Sequence, residues 1–184
     1  MLHRRLLKTF ASLNANGSRL PAAVNTAIVG AGPCGLVLGL LLHEQGVEDF
    51  AVLEKKNKLQ LLHAHPAAHY INARSMECLK LLEHLQQRVV QEAEPLERYR
   101  YYRYVRHVGG FEFQKTDQLA PQALKELWEK TGEMPVHMPQ HTFVRLLLDE
   151  YDRRGIGSKL VFDCNASRLQ QQANSVRCSL RPQR

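Results

Sequence analysis

The stretch NTAIVGAGPCGLVLGLLLHEQGV, Asn25 to Val47, decides the fold. Its first six residues are a short apolar run with β-branched members that ends on glycine, the pattern of a buried strand in a parallel sheet. A helix is expected at once. Pro33 falls in its first turn, where a missing N–H costs little, and Leu36, Val37, Leu40 and Leu41 give it an apolar face. Gly46 is placed to end it, and FAVLE, Phe50 to Glu54, supplies a second strand. The sum is a βαβ unit, and the fold class it predicts is α/β of Rossmann-like type.

Between strand and helix, Gly30-Ala31-Gly32-Pro33-Cys34-Gly35 matches G-x-G-x-x-G. The three glycines allow, in turn, a tight turn, close approach of backbone to a pyrophosphate, and close packing of helix on strand. The helix start then offers free N–H groups and the positive end of its dipole to phosphates. The hexapeptide alone is a weak signal. It gains from the strand before it, from the helix after it with Gly39 four residues on, and from Glu54, 19 residues past Gly35 at the end of the next strand. An acid there can hydrogen-bond a ribose hydroxyl and disfavours a 2′-phosphate, hence NADP, at this site. FAD and NAD share the ADP half that such a unit holds, so the unit by itself leaves both open.

Outward from this core, a helix is expected from about residue 72 to 90, capped by Asn72, with Met76, Leu79, Leu82, Leu85 and Val89 on one face. ERYRYYRYVRH alternates Arg98, Tyr99, Arg100 and Tyr101 before losing phase, which fits an exposed strand better than a nucleic-acid surface because Glu92, Glu94 and Glu97 abut it. Helices are expected at 121–130, with Leu124 and Trp128 in a core, and at 140–154, ended by Gly155. KLVFDC and NSVRCSL read as closing strands joined by a polar loop. His63, His65 and His69 invite a metal reading, but Pro66 interrupts any helix there and no carboxylate or cysteine shares the spacing, so no metal site is expected. Cys34, Cys78, Cys164 and Cys178 form no C-x-x-C pair and read as reduced, mostly buried thiols.

With 184 residues and 44% hydrophobic content, the chain suits one compact domain. Of its +7 formal charge, four units come from Arg4, Arg5, Lys8 and Arg19, in a stretch that has no acid before Glu44. Leu2, Leu6, Phe10 and Leu13 recur there at helical spacing, so residues 1–23 read as an amphipathic mitochondrial-type transit peptide, with a cytoplasmic location as the alternative. No apolar run approaches the ~20 residues that span a bilayer. Neither a nucleic-acid partner nor a membrane span is expected.

The words VNTAIVGAGPCGLVLGLLLHEQGV, AVLEK, HPAAHYINARSMECLKLLEHL and MPQHTFVRLLL together resemble the FAD-dependent aromatic-ring hydroxylases, the phenol, para-hydroxybenzoate and chlorophenol hydroxylase group. The resemblance implies a truncated FAD-binding domain of the three-layer, glutathione-reductase-like kind over residues 24–184, with the start of a mixed substrate-domain sheet at about 95–115. It implies that Gly30, Gly32 and Gly35, with Ala31, Pro33 and Cys34 between them, meet the pyrophosphate. Glu54 would hold the adenosine ribose with Lys55 beside it, and Gln140 would contact the ribityl or phosphate region. FAD is the cofactor it implies, NAD(P)H the co-substrate and a small aromatic compound the substrate. The activity would be that of an oxidoreductase, a monooxygenase hydroxylating phenols. Where the family usually has Arg or Lys before Ala-His, this chain has Ala67. The Asp-Gly and Gly-Asp motifs that complete the flavin pocket are not in these residues, so no catalytic acid or base is named. A non-catalytic nucleotide-binding remnant or interaction module is the alternative, and a plain NAD-binding dehydrogenase domain ranks lower, because regular strand–helix alternation does not continue after Glu54.

Overall fold

A computed structural model of the protein describes residues 23–65, 67–82 and 84–182. The expected transit peptide therefore lies, but for its last residue, outside the described residues. In chain order the elements are β1 (Thr26–Val29), α1 (Pro33–Glu44), β2 (Phe50–Leu53), α2 (Lys58–Leu62), β3 (Tyr70–Ile71), α3 (Ala73–Lys80), α4 (Leu85–Glu92), β4 (Tyr101–Val105), β5 (Glu112–Asp117), α5 (Pro121–Thr131), β6 (Val136–His137), α6 (Gln140–Arg153), β7 (Leu160–Val161), β8 (Cys164–Gln172) and β9 (Ser175–Pro182). They form two compact units, one holding the chain up to Ala64 and again from Leu147 onward, the other His65–Leu146.

The first unit is built on a parallel sheet of order β1-β2-β7. Thr26 to Val29 pair in step with Phe50 to Leu53, and Val52 and Leu53 pair with Leu160 and Val161. Four consecutive buried residues make β2 the centre of this sheet, as a near-continuous apolar strand should be. The strand before the glycine turn differs from expectation: β1 is an edge, only Ile28 in it is buried, and Val29 is 60% exposed. A run of β-branched residues specifies extended backbone but not how many neighbours the strand gains. α1 begins with Pro33 at its first position and ends before Gly46, whose φ of +76° is a left-handed conformation that glycine adopts without strain. Ala51, Leu53, Val161 and Cys164 form a core cluster with Val24 and Leu180 against it.

The closing segment also departs from its reading. Instead of two strands and a polar loop, β8 carries the Gln-rich stretch itself and pairs antiparallel with β9 from Cys164↔Pro182 to Gln172↔Ser175, leaving only Ala173 and Asn174 as the turn. Backbone pairing, not side-chain polarity, decided this, because a solvent-facing hairpin tolerates polar residues on both faces.

In the second unit, the single helix expected at about 72–90 is two. α3 is capped by Asn72, whose side-chain oxygen accepts the Ser75 N–H at 2.8 Å, and α4 starts after His84, whose φ of +59° is left-handed and stops the helical path. The five apolar residues expected on one face are nonetheless all buried. β4 and β5 form an antiparallel hairpin with exposed side chains throughout β4, where Arg100 grips Asp117 through two hydrogen bonds of 2.9 and 2.8 Å and Lys115 lies 3.7 Å from the Tyr101 ring centre. α5 ends at Gly132 with φ +63°, as glycine at that place should, but it buries no residue. Trp128 is 58% exposed rather than core. The thiols differ too: Cys34 and Cys78 are exposed, Cys164 is buried and Cys178 lies between.

Candidate dinucleotide-binding site

The glycine turn joins the end of β1 to the start of α1. Gly30 has φ +104°, a region closed to most side chains, and its N–H donates to the Leu53 carbonyl at 2.7 Å, tying the turn to the end of β2. Gly32 is the helix cap, with no side-chain hydrogen bond to the helix and no acidic residue in the first turn. The N–H groups of Cys34 and Gly35, in the first turn, thus have neither an intrahelical acceptor nor a capping side chain, and such donors at a helix start favour an anion. A Cβ on Gly32 would meet nothing within 4 Å, so the space beside the turn stays open for an approaching ligand. Gly35 is different: a Cβ there would lie 2.0 Å from the Gly30 carbonyl oxygen, which is the close packing of helix on turn expected of the third glycine.

Glu54 reaches the same place from β2. The residue is 7% exposed; Oε2 accepts the Ala31 N–H at 2.8 Å and Oε1 accepts the Lys56 N–H at 2.9 Å. The structure therefore brings together Gly30, Ala31, Gly32, Pro33, Cys34, Gly35 and Glu54, with Lys55 exposed next to them. Gln140 belongs to the other unit, where it opens α6 and donates its N–H to the Ala68 carbonyl at 3.0 Å. Ala67, at the departure from the family pattern, is exposed.

Sequence reasoning missed Tyr151. Its ring is fully buried in the first unit, and its hydroxyl donates to the Leu36 carbonyl in α1 at 3.0 Å. Burial pushes the phenol pKa up, so it remains a donor. Gly39, noted only as part of the helix pattern, makes the space for it. Next to it, Glu150 accepts from Arg153 at 2.9 and 2.6 Å and from Arg154 at 2.6 Å, and Arg154 also pairs with Glu44. Burial raises the Glu150 carboxyl, but the two guanidinium groups outweigh it and bring the pKa down to about 2.

Of the three histidines weighed for metal, His69 instead sets its Nδ1 2.9 Å from Nδ1 of His137. Tyr99 stacks on His137 with ring centres 4.0 Å apart. Burial and the neighbouring His69 lower the His137 pKa, so its ring is neutral at physiological pH. Among the described residues there is no group of three His, Cys, Asp or Glu side chains able to hold a metal ion, and no helix among them is long and apolar enough to cross a membrane.

The family profile described as an FAD binding domain matches residues 23–184. Among solved structures, the chain is similar to a flavin-dependent monooxygenase, PieE, in complex with FAD and substrate, with a TM-score of 0.73 and 24% identity over 88% of this chain and 27% of that one. It is similar to aklavinone-11 hydroxylase in a ternary complex with FAD and aklavinone, with a TM-score of 0.65 and 22% identity over 88% of this chain and 30% of that one. Against p-nitrophenol 4-monooxygenase from Pseudomonas putida the TM-score is 0.57 and the identity 19%, over 85% of this chain and 36% of that one. At such identities these likenesses speak for the fold. The chain spans about a third or less of the length of these proteins. A search of curated proteins finds no match.

Proposed function

The chain belongs to the FAD binding domain family, and on that premise we propose that its first unit captures the ADP half of FAD at the Gly30–Gly35 turn. The observation that carries the proposal is a helix N-terminus with no capping side chain, at an open Gly32, with the acid of the next strand folded against the turn. In this reading the N–H groups of Cys34 and Gly35 bind the pyrophosphate, Gly32 lets it approach, and Glu54 meets the adenosine ribose with Lys55 at its edge. Gln140 contacts the ribityl or phosphate region, as the family resemblance implies.

When bound, FAD supplies the redox and oxygen chemistry, with NAD(P)H as the donor and a phenolic compound as the substrate to be hydroxylated. The contribution of these residues is to bind and orient the adenosine end of the cofactor. No residue of this chain is assigned a proton transfer.

Titration of the purified protein with FAD, followed by flavin absorbance and fluorescence, tests the proposal. Saturable uptake is the expected result. A protein that purifies without flavin bands and takes up no added FAD overturns it. Oxidation of NADH or NADPH in the presence of phenols then tests the activity separately from cofactor capture.

A further inference from the structure

Both oxygens of Glu54 are engaged by backbone N–H groups, Oε2 by Ala31 and Oε1 by Lys56. The backbone of the same residue is held as firmly, since its N–H donates to the Val161 carbonyl and its carbonyl accepts from the Cys164 N–H, each at 2.8 Å. Four hydrogen bonds thus fix the residue at the end of β2. On either side of Ala31 the turn is held by backbone bonds, Gly30 N–H to the Leu53 carbonyl at 2.7 Å and Leu36 N–H to the Gly32 carbonyl at 3.0 Å, and at Ala31 itself by the carboxylate. A Cβ at Gly30 or at Gly32 would meet nothing within 4 Å. Ala31 between them is fully buried, and its N–H would be a buried donor without an acceptor if the carboxylate were removed.

We propose that Glu54 is a positioning residue that sets the glycine turn before the nucleotide arrives. By holding the Ala31 N–H, it aims the free N–H groups at the start of α1 toward one point, apart from any contact it makes with a ribose. This deepens the reading of the turn as a pyrophosphate site and rests on it. The pyrophosphate then meets donors that need no reordering, which is how preorganisation strengthens binding.

The two duties of Glu54 predict opposite signs for an anion that has no ribose. If Glu54 served only the ribose, E54Q would bind inorganic pyrophosphate as well as the wild type or better, because a negative charge beside the site is gone. If Glu54 positions the turn, E54Q binds pyrophosphate more weakly despite the lost repulsion. In the nucleotide-free protein, amide exchange at Ala31 or Lys56, whichever faces the glutamine NH2 that cannot accept, should be about tenfold faster or more in E54Q, read by NMR, while Val144 and Leu147 in α6 keep their rates. E54D, which keeps the charge but is too short to reach both donors, should quicken the same two amides and decides the matter if E54Q does not fold.

Exchange unchanged at both Ala31 and Lys56 in both variants overturns the proposal, as does equal or tighter pyrophosphate binding by E54Q. A wild-type protein that binds no pyrophosphate counts against FAD capture itself, and the exchange result, which involves no ligand, stands apart from it.

Discussion

The hydroxyl of Tyr151 occupies the space that a side chain on Gly39 would need: a Cβ there would lie 1.9 Å from the phenol oxygen and 3.2 Å from the Phe50 ring. Glycine inside a helix costs about 1 kcal/mol relative to alanine, so the position makes sense only because another element uses the notch. α6 docks on α1 through it, and the phenol donates to the Leu36 carbonyl just past the first turn of the helix that would bear the phosphates. G39A should therefore destabilise the protein by about 1–3 kcal/mol, the usual cost of overpacking. Y151F removes the oxygen and one hydrogen bond at a cost of about 1 kcal/mol. The double variant should be more stable than the sum of the two predicts, by about 0.5 kcal/mol or more, because the clash and the hydrogen bond involve the same atom. Urea denaturation of the four proteins checks this, and strict additivity would deny that the notch and the hydroxyl are one device.

Gly32 and Gly35 separate cofactor binding from folding. A Cβ at Gly32 meets nothing within 4 Å on an ordinary extended backbone of φ −74°, so G32V should leave the unfolding free energy of the FAD-free protein within about 0.5 kcal/mol of wild type. It should nonetheless weaken FAD by about tenfold or more, since its side chain fills the approach of the pyrophosphate. At Gly35 the order reverses: a Cβ would collide with the Gly30 carbonyl, and G35A should unfold more easily without any ligand. The melting temperature should rise with FAD concentration in wild type and hardly in G32V, as binding to the native state alone requires.

The contrast between these glycines marks what could be read in the sequence. The turn, the helix after it and Glu54 were legible because their pattern is local, within 30 residues and set by backbone rules that few residue types satisfy. The Tyr151 contact was not, since its partner Leu36 lies 115 positions away and an aromatic residue on a helix carries no address. Neither the edge position of β1 nor the exposure of Trp128 could be read from periodicity, which marks the apolar face of an element but not whether anything covers it. The break at His84 escaped for another reason: a non-glycine residue at positive φ is uncommon, and the apolar spacing runs through the break as if the helix were whole.

The transit-peptide reading of the acid-free residues 1–23 is testable without the rest of the chain. Residues 1–23 fused to a fluorescent protein should direct it to mitochondria, and exchanging Arg4 and Arg5 for glutamate should abolish the targeting, because transit peptides are basic and poor in acids. Diffuse fluorescence of the unaltered fusion would remove the mitochondrial reading and favour a cytoplasmic protein.

Glu150 gives the first unit a pH dependence of definite sign. Its pKa is 4.5 as an ordinary carboxyl and about 2 in the folded protein, where the desolvation that would raise it is outweighed by hydrogen bonds and charge from Arg153 and Arg154. A depressed folded value means that the unfolded chain binds the proton first, so the stabilisation is complete above 4.5 and drains away as the pH falls from there toward about 2. E150Q should cost about 2–3 kcal/mol at neutral pH, somewhat less than breaking a fully buried pair, because Arg154 keeps Glu44 and Arg153 is half solvated. Because the glutamine cannot titrate, the gap between wild type and E150Q should narrow steadily below 4.5. Urea unfolding of both proteins across that range measures the gap, and one that stayed constant into acid would mean that the Glu150 charge contributes nothing and only its shape matters.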